Sequence, residues 1–375
     1  MNKGFKWKRL WVKIPRKMVK YVAIVLNSIC VLGMVACAYS IYFDPQTHPR
    51  LSYWGLAFPL FLIPTFLFGI LWLCLRRWWG LISGIGLMVC CVAIRTYFPL
   101  NFPSGPPDGA IKVMSYNIYQ LGKNVDGKSW SEAGIPKEES PIVNYLVASD
   151  ADIVCCQEAF PLKEAKVDSV LATAYPYREY VKVHTETVAC LSRFPIVGSD
   201  SIDYPSVGNG SVAFKVLVKG DTVLVINNHF ESYKLNDADK AEYKELVVHP
   251  DDENARQNFE DLSTKVAAAN AIRAKQADVV DELIAKSPYR YIIACGDFND
   301  ASLSYVHWRM TRHLNDAFTR SGNGPGITYH RSGMYFRIDN ILYSPAMTPY
   351  RCYVDSDIHT SDHYPIICWL TLDKD

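Results

Sequence analysis

The sequence predicts an apolar, membrane-type segment over roughly its first hundred residues, followed by a layered α/β or α+β domain. Three observations carry this. Three long apolar runs precede residue 98. The charge balance changes sign at about the same point. Beyond residue 110, short Val- and Ile-rich runs alternate with polar stretches of helical period.

The apolar runs are 21–43, 53–75 and 79–97. The first two hold about 23 residues each, enough to cross a hydrocarbon core of roughly 30 Å at about 1.5 Å per residue. The third is shorter and carries Arg95 near its end, where a long side chain can reach the interface. Its glycines are tolerated in membrane helices. A cleaved signal peptide would have a shorter apolar core and no further spans after it. About three transmembrane helices in residues 1–100 are therefore expected, with the lipid bilayer as their partner.

Eight basic residues, Lys3, Lys6, Lys8, Arg9, Lys13, Arg16, Lys17 and Lys20, precede the first run, and Arg76 and Arg77 lie between the second and third. The excess of positive charge marks the cytoplasmic side. The N-terminus is thus expected in the cytoplasm, and three crossings put everything after about residue 98 outside it; if the third run does not span, the domain lies in the cytoplasm instead. A bacterial inner or plasma membrane is the expected location.

Residues 1–100 hold 12 of the 39 Lys and Arg and one of the 38 Asp and Glu, leaving 27 basic and 37 acidic residues, a net of −10, in 101–375. A protein that grips long nucleic acid by its backbone needs a basic stripe, because phosphate neutralisation supplies most of the affinity. None is visible here. Cys155, Cys156, Cys190, Cys295, Cys352 and Cys368 fall mostly in strand-like runs without metal-site spacing and are expected as buried thiols.

Residues 101–109 (NFPSGPPDG) form a Pro/Gly linker, which leaves 110–375 as the folded domain. Strands are expected at 111–117, 152–157, 187–192, 212–218, 222–229, 291–296, 337–343 and 366–370. Several are continuously apolar, as when both faces of a sheet are covered. Helices are expected at 138–148 and 260–286. In the second, Leu262, Val266, Ala269, Ile272, Val279 and Leu283 share one face, with Arg273 and Gln276 close by in structural roles. The charged stretch 234–258 has weak periodicity and is expected as an exposed excursion, a lid or substrate loop.

Polar residues recur where apolar strands end: Ser115-Tyr116-Asn117, Gln157-Glu158, Asn227-Asn228-His229 and Gly296-Asp297-Phe298-Asn299. Arg337-Ile338-Asp339 and Ser361-Asp362-His363-Tyr364-Pro365 follow. Each alone has an ordinary explanation as a cap, a turn or a surface carboxylate. Together and in this order they point to a site built on a rigid strand scaffold. The other histidines, His307 and His330 among them, fall in no such pattern.

With LSRFPI at 191–196, these motifs make residues 110–372 resemble the endonuclease/exonuclease/phosphatase superfamily of DNase I-like hydrolases. GDFN followed by SDHYP is the most specific pair. The resemblance implies an α+β, four-layer αββα sandwich and a phosphoester hydrolase that uses a divalent cation, Mg²⁺ or Mn²⁺. It assigns Glu158 as the principal metal ligand, with Asn117 and Asp362 at the same cation. It assigns Asp297 to the attacking water and Asn299 to a phosphoryl oxygen. His363 is assigned to the scissile phosphate, steadied by Asp339. His229 is assigned to the phosphate or the leaving group, and the choice of general acid between the histidines stays open.

The acidic domain and the membrane anchor favour a lipid headgroup or small phosphodiester as substrate. A membrane-tethered nuclease acting on DNA or RNA is the alternative. A catalytically dead binding module is less favoured, because the motif residues are intact. No protein partner is inferable.

Overall fold

The structure, a computed structural model, describes residues 16–122, 128, 130, 132, 134–234, 237–248, 255–331 and 333–373. Lys3, Lys6, Lys8, Arg9 and Lys13, which set the expected orientation, lie outside the described residues, as does part of the charged stretch 234–258. The chain divides into two units. One comprises the residues up to Ala38 together with Ala57–Cys91; the other comprises Tyr39–Leu56 and Val92–Asp375.

The smaller unit is helical. Helix α1 runs Arg16–Tyr39, α2 Phe58–Cys74 and α3 Gly80–Val89; α4, Cys91–Tyr97, follows α3 and belongs from Val92 onward to the larger unit. Small residues let the helices approach closely. A Cβ on Gly33 would stand 2.4 Å from the Phe61 ring, and one on Gly86 would stand 2.7 Å from Val31. Buried Ser83 donates to Asn27 Oδ1 at 3.0 Å. Lys17–Tyr42 and Trp54–Cys74 are long and apolar enough to cross a membrane. The third apolar run forms α3 and α4, bent by 68°, and is a third candidate span if the pair crosses as one. The break falls at Cys90, whose φ of −95° and ψ of 11° leave the helical region.

The larger unit is the α+β, four-layer αββα sandwich. Its elements are β1 Ile111–Asn117, α5 Pro141–Ala148, β2 Ile153–Gln157, α6 Ala165–Leu171, β3 Tyr177–Val183, β4 Glu186–Ser192, β5 Ile196–Ile202, β6 Ser211–Val218 and β7 Asp221–His229. After these come α7 Asp237–Val248, α8 Ala255–Lys286, β8 Tyr291–Asp297, α9 Tyr305–Met310, β9 Asn315–Asp316, α10 Ala317–Ser321, β10 Asp339–Tyr343, β11 Met347–Val354 and β12 Ile366–Leu372. One sheet has the order β11-β12-β1-β2-β4-β3 and the other β5-β6-β7-β8-β10-β9.

Alternation along the strands builds the layers. Ile111 and Val113 of β1, Ile153 and Cys155 of β2, and Ile293 and Cys295 of β8 meet between the sheets. Met114, Tyr116, Val154 and Cys156 face outward and are covered by Ile142, Val143 and Leu146 of α5 and Val167 and Leu171 of α6. Across the second sheet, Ile226, Ile292 and Ala294 pack on Ala277, Val280 and Ile284 of α8 and Val306 of α9. Because both faces are covered, these strands read as unbroken apolar runs. The six cysteines of this unit named above are buried free thiols.

Four strands carry no clear signal in the sequence: β3, β5, β9 and β11. They are the four sheet edges. An edge strand is half exposed and has no continuous apolar run, as YREYVKV in β3 shows.

Topology gathers the strand ends. β1 runs parallel to β2, and β7 parallel to β8, so Asn117 and Gln157 finish side by side, as do His229 and Asp297. β10 runs antiparallel to β8 and starts with Asp339 opposite Asp297. β12 runs antiparallel to β1, with Ile366 opposite Ser115, which brings the preceding 361–363 segment to the same end.

Candidate active site

Backbone conformation aims several of these side chains. Gly296 has φ of +130°, and a Cβ there would stand 1.9 Å from the Asn228 carbonyl oxygen, so only glycine fits before Asp297. Glu158 and Asn299 hold positive φ, 53° and 52°. Such strained positions cluster at functional sites. Below them, Gln157 Nε2 donates to Asn227 Oδ1 at 2.7 Å, and Asn227 Nδ2 donates to the carbonyl oxygens of Cys156 and Ala189. Asn227 thus ties the two sheets together under the site.

Seven of the eight sequence-derived residues, Asn117, Glu158, His229, Asp297, Asn299, Asp362 and His363, line one cavity of about 670 Å³. The eighth, Asp339, lies directly behind it, its Oδ2 2.8 Å from His363 Nδ1. The backbone N–H groups of Ile338 and Asp339 both donate to Thr328 Oγ1, which fixes that carboxylate.

Asp297 is the centre of the array. Asn117 Nδ2 donates to its Oδ2 at 3.1 Å, and Asn299 donates its backbone N–H to Oδ1 at 2.7 Å. His229 Nε2 and His363 Nε2 each stand 3.7 Å from Asp297 Oδ2. Asn117 Nδ2 also reaches Glu158 Oε1 at 3.4 Å. Ser361 donates to the Asn117 carbonyl oxygen at 2.8 Å and accepts from His363 N, which joins the C-terminal motif to β1.

Sequence reasoning missed Glu186. At the start of β4, its Oε2 lies 2.6 Å from His229 Nδ1, and its Oε1 accepts the backbone N–H of Glu158 at 2.6 Å. It therefore steadies His229 and Glu158 together. The TET stretch around it carries no motif; only the three-dimensional pairing reveals it.

Arg273 and Gln276, read as structural, are fully buried behind the cavity. Gln276 Oε1 accepts from Glu231 N at 2.8 Å, and Arg273 Nη1 donates to the Glu231 carbonyl at 2.7 Å. They fix the segment that follows His229. Arg337 is also buried, on Asp316 and Ser302.

The electrostatics follow from crowded acids in a poorly solvated cleft. Burial, with Glu186 and Asp362 nearby, pushes the Glu158 carboxyl up to about 7. Burial likewise raises Asp297, with Asp339 adding to it. Burial disfavours a charged His229, but Glu186, Asp297 and Glu158 outweigh it and raise its pKa to about 9. For His363 the same opposition of burial by Asp339 and Asp297 ends well above the usual imidazole value.

Asp297, Asp339 and His363 offer donor atoms within 4.8 Å of one another. The Asp339–His363 hydrogen bond already uses one donor of each, so the carboxylates around Glu158 are the better candidates for a cation. Glu158, Glu186, Asp297, Asp339 and Asp362 outnumber the two imidazoles, and Asp339 Oδ1 is buried without a hydrogen-bond partner. Excess negative charge with oxygen donors suits a hard divalent cation.

Residues 114–363 match the endonuclease/exonuclease/phosphatase family, and the chain belongs to it. Its members are hydrolases acting on phosphoesters, typically with divalent metals. Residues 17–97 match a domain of unknown function. No curated protein sequence matches the chain. Among solved structures, an endonuclease/exonuclease/phosphatase protein from Beutenbergia cavernae is 18% identical with a TM-score of 0.51, covering 70% of this chain and 72% of that one. Zebrafish (D. rerio) TDP2 complexed with a single-strand DNA product is 20% identical with a TM-score of 0.48, covering 70% and 100%. The human Nocturnin catalytic domain with bound sulfate is 17% identical with a TM-score of 0.48, covering 70% and 93%.

Proposed function

We propose that this protein is a membrane-anchored, divalent-metal-dependent phosphoester hydrolase whose domain acts outside the cytoplasm on a lipid headgroup or small phosphodiester. The observation that carries the reading is the convergence of Asn117, Glu158, His229, Asp297, Asn299, Asp362 and His363 on one cavity, with Asp339 and Glu186 behind the two histidines.

Glu158, Asn117 and Asp362 would hold Mg²⁺ or Mn²⁺. Bound there, the cation supplies Lewis-acid polarisation of a phosphoryl oxygen and charge neutralisation. Asp297, raised by burial and oriented by Asn299, takes the proton of the attacking water. The Asn299 side-chain amide, which here donates to the Phe230 carbonyl oxygen at 2.9 Å and to Asp297 Oδ2 at 3.3 Å, would exchange the longer of these for a phosphoryl oxygen. The carboxylates behind His229 and His363 keep both rings protonated near neutral pH, so one donates to the phosphoryl group and the other protonates the leaving oxygen.

The packing of the loop between the first two candidate spans supports an extracytoplasmic domain. Asn270 Nδ2 donates to Ser52 Oγ at 2.7 Å, the Tyr42 ring meets Trp308 edge-on at 5.4 Å, and a Cβ on Gly55 would stand 1.8 Å from the Leu303 carbonyl oxygen. A loop packed this closely into the domain lies on the domain's side of the bilayer. The chain between residues 57 and 97 therefore leaves that side and returns to it, whatever path the bent pair takes. With one crossing by α1 and a basic, cytoplasmic N-terminus, the domain is outside.

The test uses the full-length protein in detergent with bis(p-nitrophenyl) phosphate. Turnover should require Mg²⁺ or Mn²⁺, stop with EDTA and resume on adding metal back. Glu158→Ala should lower kcat about 10³-fold, in the range of losing one transition-state stabilising group. Chelator-insensitive turnover, or none on any phosphoester, would overturn the reading. Efficient cleavage of plasmid DNA or an oligonucleotide instead would favour the nuclease alternative, against which the net charge of the domain speaks.

A further inference from the structure

The cavity is larger and more apolar than a phosphoryl group needs. Besides the acidic and imidazole groups described above, its lining includes Leu56, Tyr243, Leu262, Val266, Met334 and Phe336. Leu56 comes from the loop between the first two candidate spans and lies within the span Trp54–Cys74 as its apolar run is bounded. Leu262 and Val266 stand one turn apart on α8.

A buried polar clamp holds the Leu56 loop in place. Ser52 accepts from Asn270 Nδ2, four residues along α8 from Val266, and Asn270 Oδ1 accepts from Arg273 Nη2. Arg273 is fully buried, donates to the Glu231 carbonyl, and stacks its guanidinium 4.2 Å from the Tyr233 ring, itself part of the cavity lining. The loop that leads into a span is thereby joined to the segment that follows His229.

We infer that this apolar part of the lining receives the hydrocarbon chain of a membrane-resident phosphodiester, and that Leu56 is a specificity-determining residue. The inference rests on the hydrolase reading and names its substrate class. Aliphatic side chains and a methionine give a yielding apolar wall suited to an alkyl chain. A nucleic-acid strand would call for cations along its backbone. Among the described residues the only Lys or Arg in the lining is Lys234, and it pairs with Glu231 at 2.9 Å. Chain connectivity supplies the remaining argument, because the residue that forms the wall opens a candidate membrane span.

The experiment compares p-nitrophenyl methyl phosphate with p-nitrophenyl dodecyl phosphate, using the full chain in one detergent. The wild type should turn over the dodecyl ester with kcat/KM at least about 30-fold above the methyl ester, since each buried methylene adds to binding. Leu56→Asp should lower the dodecyl-to-methyl ratio about tenfold or more. Met334→Asp reaches the same wall from a different segment and should lower the ratio too, should the first variant not fold. Val197→Asp, at an exposed position on β5, should leave the ratio as in the wild type. Turnover of the methyl ester with no preference for the longer chain, or a ratio unmoved by either wall variant, overturns the inference alone. No metal-dependent turnover of any ester overturns the hydrolase reading and the inference with it.

Discussion

At the cleft, Asp339 lies 2.8 Å from His363 Nδ1 and Glu186 lies 2.6 Å from His229 Nδ1. On the flank formed by α9 and α10, Asp316 lies 3.2 Å from His307 Nε2. All three are buried carboxylate–imidazole pairs, but their surroundings differ. Asp316 also accepts both of its Nη1 contacts from buried Arg337, caps α10 through Phe318 N, and takes the Thr319 hydroxyl. These interactions overcome its burial and hold its carboxyl well below the usual carboxylate range. Among the described residues that line the cleft there is no guanidinium, and Glu158 and Asp297 are raised instead. The flank pair is compensated by its own fold and is structural. The cleft pairs leave negative charge uncompensated, which suits a bound cation.

Predictions that would break this comparison can be ranked by their effect on turnover. Asp297→Ala removes the group that both cleft histidines face and should lower kcat by about 10³-fold or more, measured on a chromogenic phosphodiester. A smaller loss would mean that the two pairs act without a common centre. Asp339→Asn should cost about 10²-fold and Glu186→Gln about 10-fold, within the range seen when a residue supporting a catalytic or metal-binding group is changed. The order follows from contacts: Gln can still accept the Glu158 N–H, whereas the Asp339 carboxylate is fully enclosed. Equal losses would remove the distinction between the two arms.

Asp316→Asn should change turnover least and stability most. Leaving Arg337 buried without its anion should cost about 3 kcal/mol at neutral pH, read from denaturant unfolding. The folded-state pKa of Asp316 is depressed, so its stabilisation is present above the unfolded value of about 3.9 and is lost as pH falls towards the folded value. The gap between wild type and variant should therefore close on acidification below about pH 4. A large loss of activity at unchanged stability would place this pair with the catalytic ones.

Much of the site was legible because its residues follow strands with strong signatures. Asn117, Glu158, His229 and Asp297 each end an apolar run, and such runs are set by burial on both faces, a local property of the sequence. Glu186 was not legible. It begins a strand rather than ending one, and its partner His229 is 43 residues away on the opposite sheet. The edge strands were hidden for a related reason, since half exposure leaves them no unbroken apolar run.

By itself the sequence determined the long apolar runs, the layered domain and the order of the polar motifs, because hydrophobic length and period depend on neighbouring residues alone. Only the tertiary structure decided which carboxylate stands behind which histidine, that the loop 39–56 packs into the domain, and that Leu56 reaches the cavity wall. Those outcomes depend on how two sheets stack and which strand ends meet, and long-range packing of that kind has no local signature.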